Sequence, residues 1–175
     1  METYKANRHP RHPEMSPSTA FSVAVLGMII SIAFWSGLIS VVGITKDSAN
    51  HAVTAIQSWK ESSHSDGAHR DLLITCGDGH MYTIRYMLYE GLADEFRTAM
   101  AVGAEASIYT GPVFRDVMEI SINGNLLFSF ETGYQALLNE KIGYAGIAAV
   151  LDLCGIALII YGVKRREQNS KRKTR

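Results

Sequence analysis

The sequence predicts an α+β membrane protein in which two transmembrane helices flank a small extracytoplasmic β-β-α-β-β-β domain. Three observations carry that expectation. Two apolar blocks, residues 20–44 and 142–163, are each long enough to cross a bilayer. The stretch between them alternates as strands do. Charge is partitioned by segment: the formal net charge is zero, yet residues 45–141 carry seven Lys/Arg against thirteen Asp/Glu, and the closing "KRREQNSKRKTR" carries seven basic residues and one acid.

The first 19 residues hold three prolines and two histidines without apolar periodicity, and read as a disordered cytoplasmic arm. Residues 20–44 follow without a charge. A spanning helix needs about 20 mostly apolar residues, and lipid obliges such a segment to be helical because its backbone finds no water. This block exceeds the roughly 7–15 residue apolar core of a cleaved signal peptide, so an uncleaved anchor is expected. The second block, 142–163, has Asp152 as its only charged member, with Tyr144 and Tyr161 near its two ends. Lys5, Arg8 and Arg11 before the first block, and the basic tail 164–175 after the second, place both ends in the cytoplasm by the positive-inside tendency. The chain is then expected to be a two-pass membrane protein with both ends cytoplasmic.

Between the blocks, Ala49, Ala52, Val53, Ile56 and Trp59 fall on one helical face. Residues 45–70 are therefore expected to form an amphipathic helix followed by a polar loop. His64, Asp66, His69 and Asp71 crowd that loop, but their spacing matches no metal site and a solvated loop is the expectation. The same holds for His9 and His12.

Residues 71–131 form the extracytoplasmic domain. "DLLITC" and "MYTIRY" flank "GDGH", whose Asp78-Gly79 supplies turn chemistry. Leu92, Phe96, Ala99 and Met100 then make one helical face, which Gly103 terminates. "EASIYTG" is a third strand. "VMEISI" and "LLFSF" flank Asn123-Gly124, the dipeptide suited to a tight type I′ hairpin. Residues 132–141 carry Tyr134, Leu137 and Leu138 at helical spacing and read as a juxtamembrane helix, with Gly133 and Gly143 as its breaks. A domain this small has a marginal core of its own, so tethering or a partner is expected to support it.

Motifs that announce an enzyme are missing: the sequence has no GxSxG, no GxxxxGK[ST], no HExxH and no paired CxxC. "TCGDGH" places Cys76, Asp78 and His80 together, but they flank and form a turn, whereas a catalytic thiol needs a positioned base and a cleft. Cys76 and Cys154 are the only cysteines and do not make a disulfide scaffold. No catalytic, cofactor-binding or metal residue is assigned, and no cofactor is expected. The basic tail lacks interleaved aromatics, so it is expected to set topology and to attract anionic lipid rather than nucleic acid, at about 1 kcal/mol per basic residue.

Asp152 is the residue that demands a reason, since an aspartate at the centre of a spanning helix costs about 2.5–3.5 kcal/mol. Stepping by three and four residues puts Ala148, Asp152, Gly155, Ile159 and Gly162 on one stripe, near Ala145. Small residues let a second helix approach closely, so this stripe is the expected contact face. In an antiparallel hairpin Ser31 of the first block is expected level with Asp152, with Gly27 beside Ser31, Ala33 beside Gly37 and Ser36 beside Ser40 as further small positions. A Ser31–Asp152 hydrogen bond is worth about 1 kcal/mol, less than ionisation costs. Asp152 is then either protonated or salt-bridged to another subunit. The helix-contact residues expected are Asp152, Ser31, Gly155 and Ala148.

"AMAVGAEASIYTGP", together with "VMEISINGNLLFSFE" running through a helix into the last apolar block, resembles a loose class of two-pass bacterial inner-membrane proteins with a small extracytoplasmic β-rich domain. The likeness covers about residues 92–163. It implies an envelope location and lends no catalytic residues. The function expected is a non-enzymatic interaction or accessory subunit whose outer domain meets an envelope component. Its expected partners are membrane lipid and either a second copy of the chain or a larger membrane complex; no small-molecule ligand is named. The alternative is a transport or ion-handling subunit that uses Asp152 as an intramembrane carboxylate.

Overall fold

A computed structural model describes residues 15–63 and 67–173, the side chains to residue 171. The chain divides into two compact units, one of residues 34–145 and one built from the flanking stretches up to 33 and from 146 onward.

Helix α1 spans Pro17–Ile39 and helix α4 spans Phe130–Lys173; both are long and apolar enough to cross a membrane. The first begins earlier than hydropathy alone suggests. Ser16 caps it by accepting the Thr19 amide at 3.1 Å, and Pro17 occupies the first helical position, where its missing N–H costs nothing. It also ends earlier than residue 44, in a turn where Gly43 takes φ 80°. Residues 132–141 and 142–163, expected as two helices, are one continuous helix, since neither Gly133 nor Gly143 interrupts it.

In the larger unit six strands form one antiparallel sheet in the order β3-β2-β1-β4-β5-β6. They are β1 (Asn50–Ser63), β2 (Arg70–Cys76), β3 (Met81–Ile84), β4 (Glu105–Thr110), β5 (Val117–Ile122) and β6 (Asn125–Phe128). Short helices α2 (Tyr86–Tyr89) and α3 (Ala93–Ala99) join β3 to β4. The strand order expected over 71–131 is present, with two short helices between β3 and β4 where one was expected.

The amphipathic helix expected before it is not. Residues 50–63 are β1, the longest strand and the centre of the sheet. Its first half, Asn50 to Ala55, pairs with β4, and its second half, Ile56 to Ser63, pairs with β2. The register breaks between Ile56 and Ser58. A bulge there spaces Ile56 and Trp59 three residues apart while both pack in the core. That single irregularity imitates a helical period.

The sheet curls. Thr83 of β3 forms a parallel bridge with Asp116, its amide donating to the Arg115 carbonyl at 3.1 Å, so one edge strand meets the start of β5. The interior is filled by alternating residues such as Leu72 and Ile74, Ala106 and Ile108, and Ile120 and Ile122, closed over by Tyr89, Phe96 and Met100. The two tight turns follow their sequences. Asn123 (φ 50°) and Gly124 (φ 80°) make the type I′ hairpin, and Gly103 (φ 89°) follows α3 in the left-handed region.

The first turns of α4 lie directly on β5. Ser129 caps the helix, and the Phe130 amide donates to Glu119 Oε2 at 3.0 Å, which puts a carboxylate at the positive helix end. Leu137 packs with Met118 and Val41 in a second small core. The approach is so close that a Cβ on Gly133 would lie 2.0 Å from the Met118 carbonyl oxygen.

Candidate functional site

In the helical unit α1 and α4 run antiparallel. A Cβ on Gly162 would meet Phe21 at 3.1 Å, one on Gly155 would meet Met28 at 3.5 Å and the Ala24 carbonyl at 3.6 Å, and one on Gly27 would lie 4.0 Å from the Leu151 carbonyl. Gly155 and Gly162 of the stripe read from the sequence therefore lie against α1. Ala148 and Gly155 are buried, as are Ala20, Ala24 and Ser31 opposite, while Asp152 is half-buried. Large apolar residues off this face, among them Leu26, Ile32, Leu153 and Ile156, are exposed.

Of the small residues expected on α1, Gly27 lies near the Leu151 carbonyl and Ser31 is buried.

In the sheet unit two charge clusters hold the fold. Arg85 donates from Nη1 to Asp71 Oδ2 at 3.0 Å and from Nη2 to Glu140 Oε1 at 2.6 Å, while Asp71 also accepts the Tyr86 amide at 2.7 Å. Glu140 is almost wholly buried, so this bidentate pair clamps α4 to β2 and α2. Beside it, burial raises the Asp116 pKa above the ordinary carboxylate range, opposed by the charges of Arg85 and Lys141. The second cluster centres on Glu61, which accepts from the Tyr89 hydroxyl, from Arg97 Nη2 at 2.8 Å and from Arg70 Nη1 at 2.7 Å. Those donors pull its pKa down to about 2.

The loop residues weighed as metal ligands serve the fold too. His69 pairs with Glu90 at 3.3 Å and stacks on Tyr86, and Asp71 belongs to the Arg85 clamp. His64 and Asp66, like His9 and His12, lie outside the described residues. Among the described residues no three His, Cys, Asp or Glu converge as a metal set would.

"TCGDGH" separates into two roles. Cys76 is buried, and burial, with the Asp78 charge adding to it, pushes its thiol up to about 11, which makes a poor nucleophile at neutral pH. Asp78 and His80 instead line a polar cleft of about 370 Å³ with Asn50, His51, Thr110 and Arg115. Asp78 is held on two sides, its Oδ2 accepting the Tyr82 hydroxyl and its Oδ1 the His80 amide at 2.9 Å. Burial opposes its charge, yet these bonds and the neighbouring His80 and Arg115 keep its pKa below the ordinary value. His51 bonds Ser107 at 2.8 Å and stacks on Tyr109 with ring centres 4.2 Å apart, forming a fixed wall. The cleft draws on three separate parts of the chain, which meet only because the sheet curls; the Asp78-His80 turn was its one visible trace in the sequence.

Comparison with protein-family profiles, with curated proteins and with solved structures finds no match.

Proposed function

We propose that the chain is a two-pass bacterial inner-membrane protein with both termini cytoplasmic, and that it acts as a non-enzymatic interaction or accessory subunit. Its sheet unit faces the extracytoplasmic side and meets an envelope component. Its helix hairpin associates with a second copy or with a larger membrane complex. The acidic middle segment between two basic ends supports this threading.

The observation that carries the reading is the placement of Asp152. It stands half-buried on the small-residue face, between residues that α1 covers, and away from the exposed apolar faces suited to lipid. A carboxylate there contributes to helix contact, with Ser31 as its proposed partner within the hairpin. The charge clusters of the sheet unit support the same reading, since their side chains pair with one another and brace the fold.

The test is purification of the full chain in gentle detergent, comparing assembly size and co-purifying proteins for wild type, Asp152→Leu and Asp152→Asn. Asp152→Leu should shift the assembly or lose the partner. If Asp152→Leu matches wild type in both respects, the residue has no such role. A transport subunit would behave differently, losing ion flux in reconstituted vesicles on Asp152→Asn while keeping its assembly intact.

A further inference from the structure

The polar cleft of the sheet unit contains groups that the fold leaves uncommitted. Asp78 and Arg115 line the same cavity and act on each other electrostatically. Among the described residues, however, no ion pair within 4.0 Å joins Arg115 to any carboxylate. Both Asp78 oxygens are already oriented by the Tyr82 hydroxyl and the His80 amide, and a carboxylate with about four lone-pair sites still has two to offer. Thr110 lines the cavity at 4% exposure, and among the described residues its hydroxyl makes no hydrogen bond. Buried hydroxyls are normally satisfied, so this one points to a missing partner.

We infer that this cleft binds a small zwitterion, with Arg115 taking its oxyanion, Asp78 its ammonium and the Thr110 hydroxyl a further oxygen. Charge decides the class. A simple anion meets Asp78, which stays ionised below the usual carboxylate range, and a simple cation meets Arg115. A molecule carrying both charges meets neither penalty. The volume of about 370 Å³ suits a compound of amino-acid or phosphoethanolamine size. The same ammonium–oxyanion pair is the headgroup of a zwitterionic phospholipid. The residues just before Arg115, Val113 and Phe114, are exposed at 66% and 46%, which offers apolar surface to a lipid's chains.

The experiment uses the full chain in a maltoside detergent, which carries no charged headgroup, and titrates O-phosphoethanolamine by calorimetry. Inorganic phosphate and ethylamine serve as single-charge probes. Saturable binding of phosphoethanolamine is expected, with each single-charge probe at least tenfold weaker. Arg115→Gln should weaken binding about tenfold or more, and so should Asp78→Asn. Arg115 is exposed, so its variant keeps the native melting point and tests the site even where the Asp78 variant disturbs the turn.

A second arm places the chain in nanodiscs of phosphatidylethanolamine or of phosphatidylglycerol. A rise in melting point confined to phosphatidylethanolamine and abolished by Arg115→Gln assigns the lipid headgroup as the source. Binding of the soluble probe without that rise assigns a free zwitterion. Phosphate binding as tightly as phosphoethanolamine, an affinity unchanged by Arg115→Gln, or no response in either arm overturns the inference.

Discussion

Replacing Gly133 with alanine puts the packing of α4 on the sheet to a direct test. The added Cβ would lie 2.0 Å from the Met118 carbonyl oxygen, 2.6 Å from its carbon and 2.7 Å from its Cα. Ordinary contact begins at 3.4 Å, so relief requires a shift of 1.4 Å (3.4 minus 2.0) between helix and strand backbones. Such a shift opens the Leu137–Met118–Val41 cluster and the Phe130–Glu119 cap. Overpacking costs about 1–3 kcal/mol where side chains can yield, and here neither backbone is a flexible side-chain end, so about 3 kcal/mol is the working figure. Alanine recovers up to about 1 kcal/mol through its higher helix propensity. The net loss of about 2 kcal/mol lowers the melting temperature by roughly 4–8 °C, at about 2–4 °C per kcal/mol for a chain of this size. The assay is thermal unfolding of the full chain in detergent, followed by tryptophan fluorescence, since Trp59 bonds the Met100 carbonyl in the sheet core. Gly143→Ala is the control, because nothing lies within 4 Å of its added Cβ, and it should melt with or slightly above wild type. A Gly133→Ala protein that melts with the control would refute the close approach of α4 to β5.

Three further outcomes are expected. Arg85→Met leaves Asp71 and the almost fully buried Glu140 without their cation, and should cost about 3–5 kcal/mol; adding Glu140→Leu should recover part of that loss in a double-mutant cycle of unfolding energies. Glu61 is held at about 2 against an ordinary 4.5, so the native state binds fewer protons than the unfolded state between these values. Stability should therefore fall as pH drops through that window. Glu61→Gln should flatten the fall, and the wild-type-minus-variant difference cancels the opposite contribution of Asp116, whose pKa is raised. Cys76 should resist maleimide in the native protein at neutral pH and react once denaturant exposes it, as read by mass of the labelled chain; rapid native labelling would contradict its buried, protonated state.

Local signals in the sequence located much of the sheet unit. Asn123-Gly124 and Asp78-Gly79 announce their hairpins because the needed backbone conformations belong to those residue types. Phe96 and Met100 mark the buried face of α3 and its exit. What escaped depends on distant partners. The β1 strand looks helical because its bulge moves the apolar positions from a period of two to a spacing of three, and only pairing with β2 and β4 reveals why. Gly133 reads as a helix break, yet it lies within α4 and is there for closeness to Met118, a neighbour 15 positions back in the chain. The small-residue stripe of Ala148 and Gly155 was legible because helical geometry alone fixes it. Arg115 and Thr110 carried no sequence signal, since their meaning comes from a cleft that forms only when β3 reaches the start of β5.

The division of β1 between two neighbours bears on the order in which the protein can assemble. The hairpins β2–β3 and β5–β6 close over short turns and need nothing else from the chain. Strand β1 is made before either, but its first half has no partner until β4, whose Thr110 pairs with Asn50 sixty residues later, has been synthesised. During biogenesis the newly made strand therefore waits with half its backbone groups unpaired, and the loop closure that ends the wait is the slow, non-local kind. Its sequence suits the delay: "NHAVTAIQSWKESS" scatters polar residues and a lysine through the strand, which lowers the risk of pairing with a neighbouring nascent chain. A truncation that removes β4 would leave that strand half-paired permanently, and aggregation is then the expected fate of the fragment.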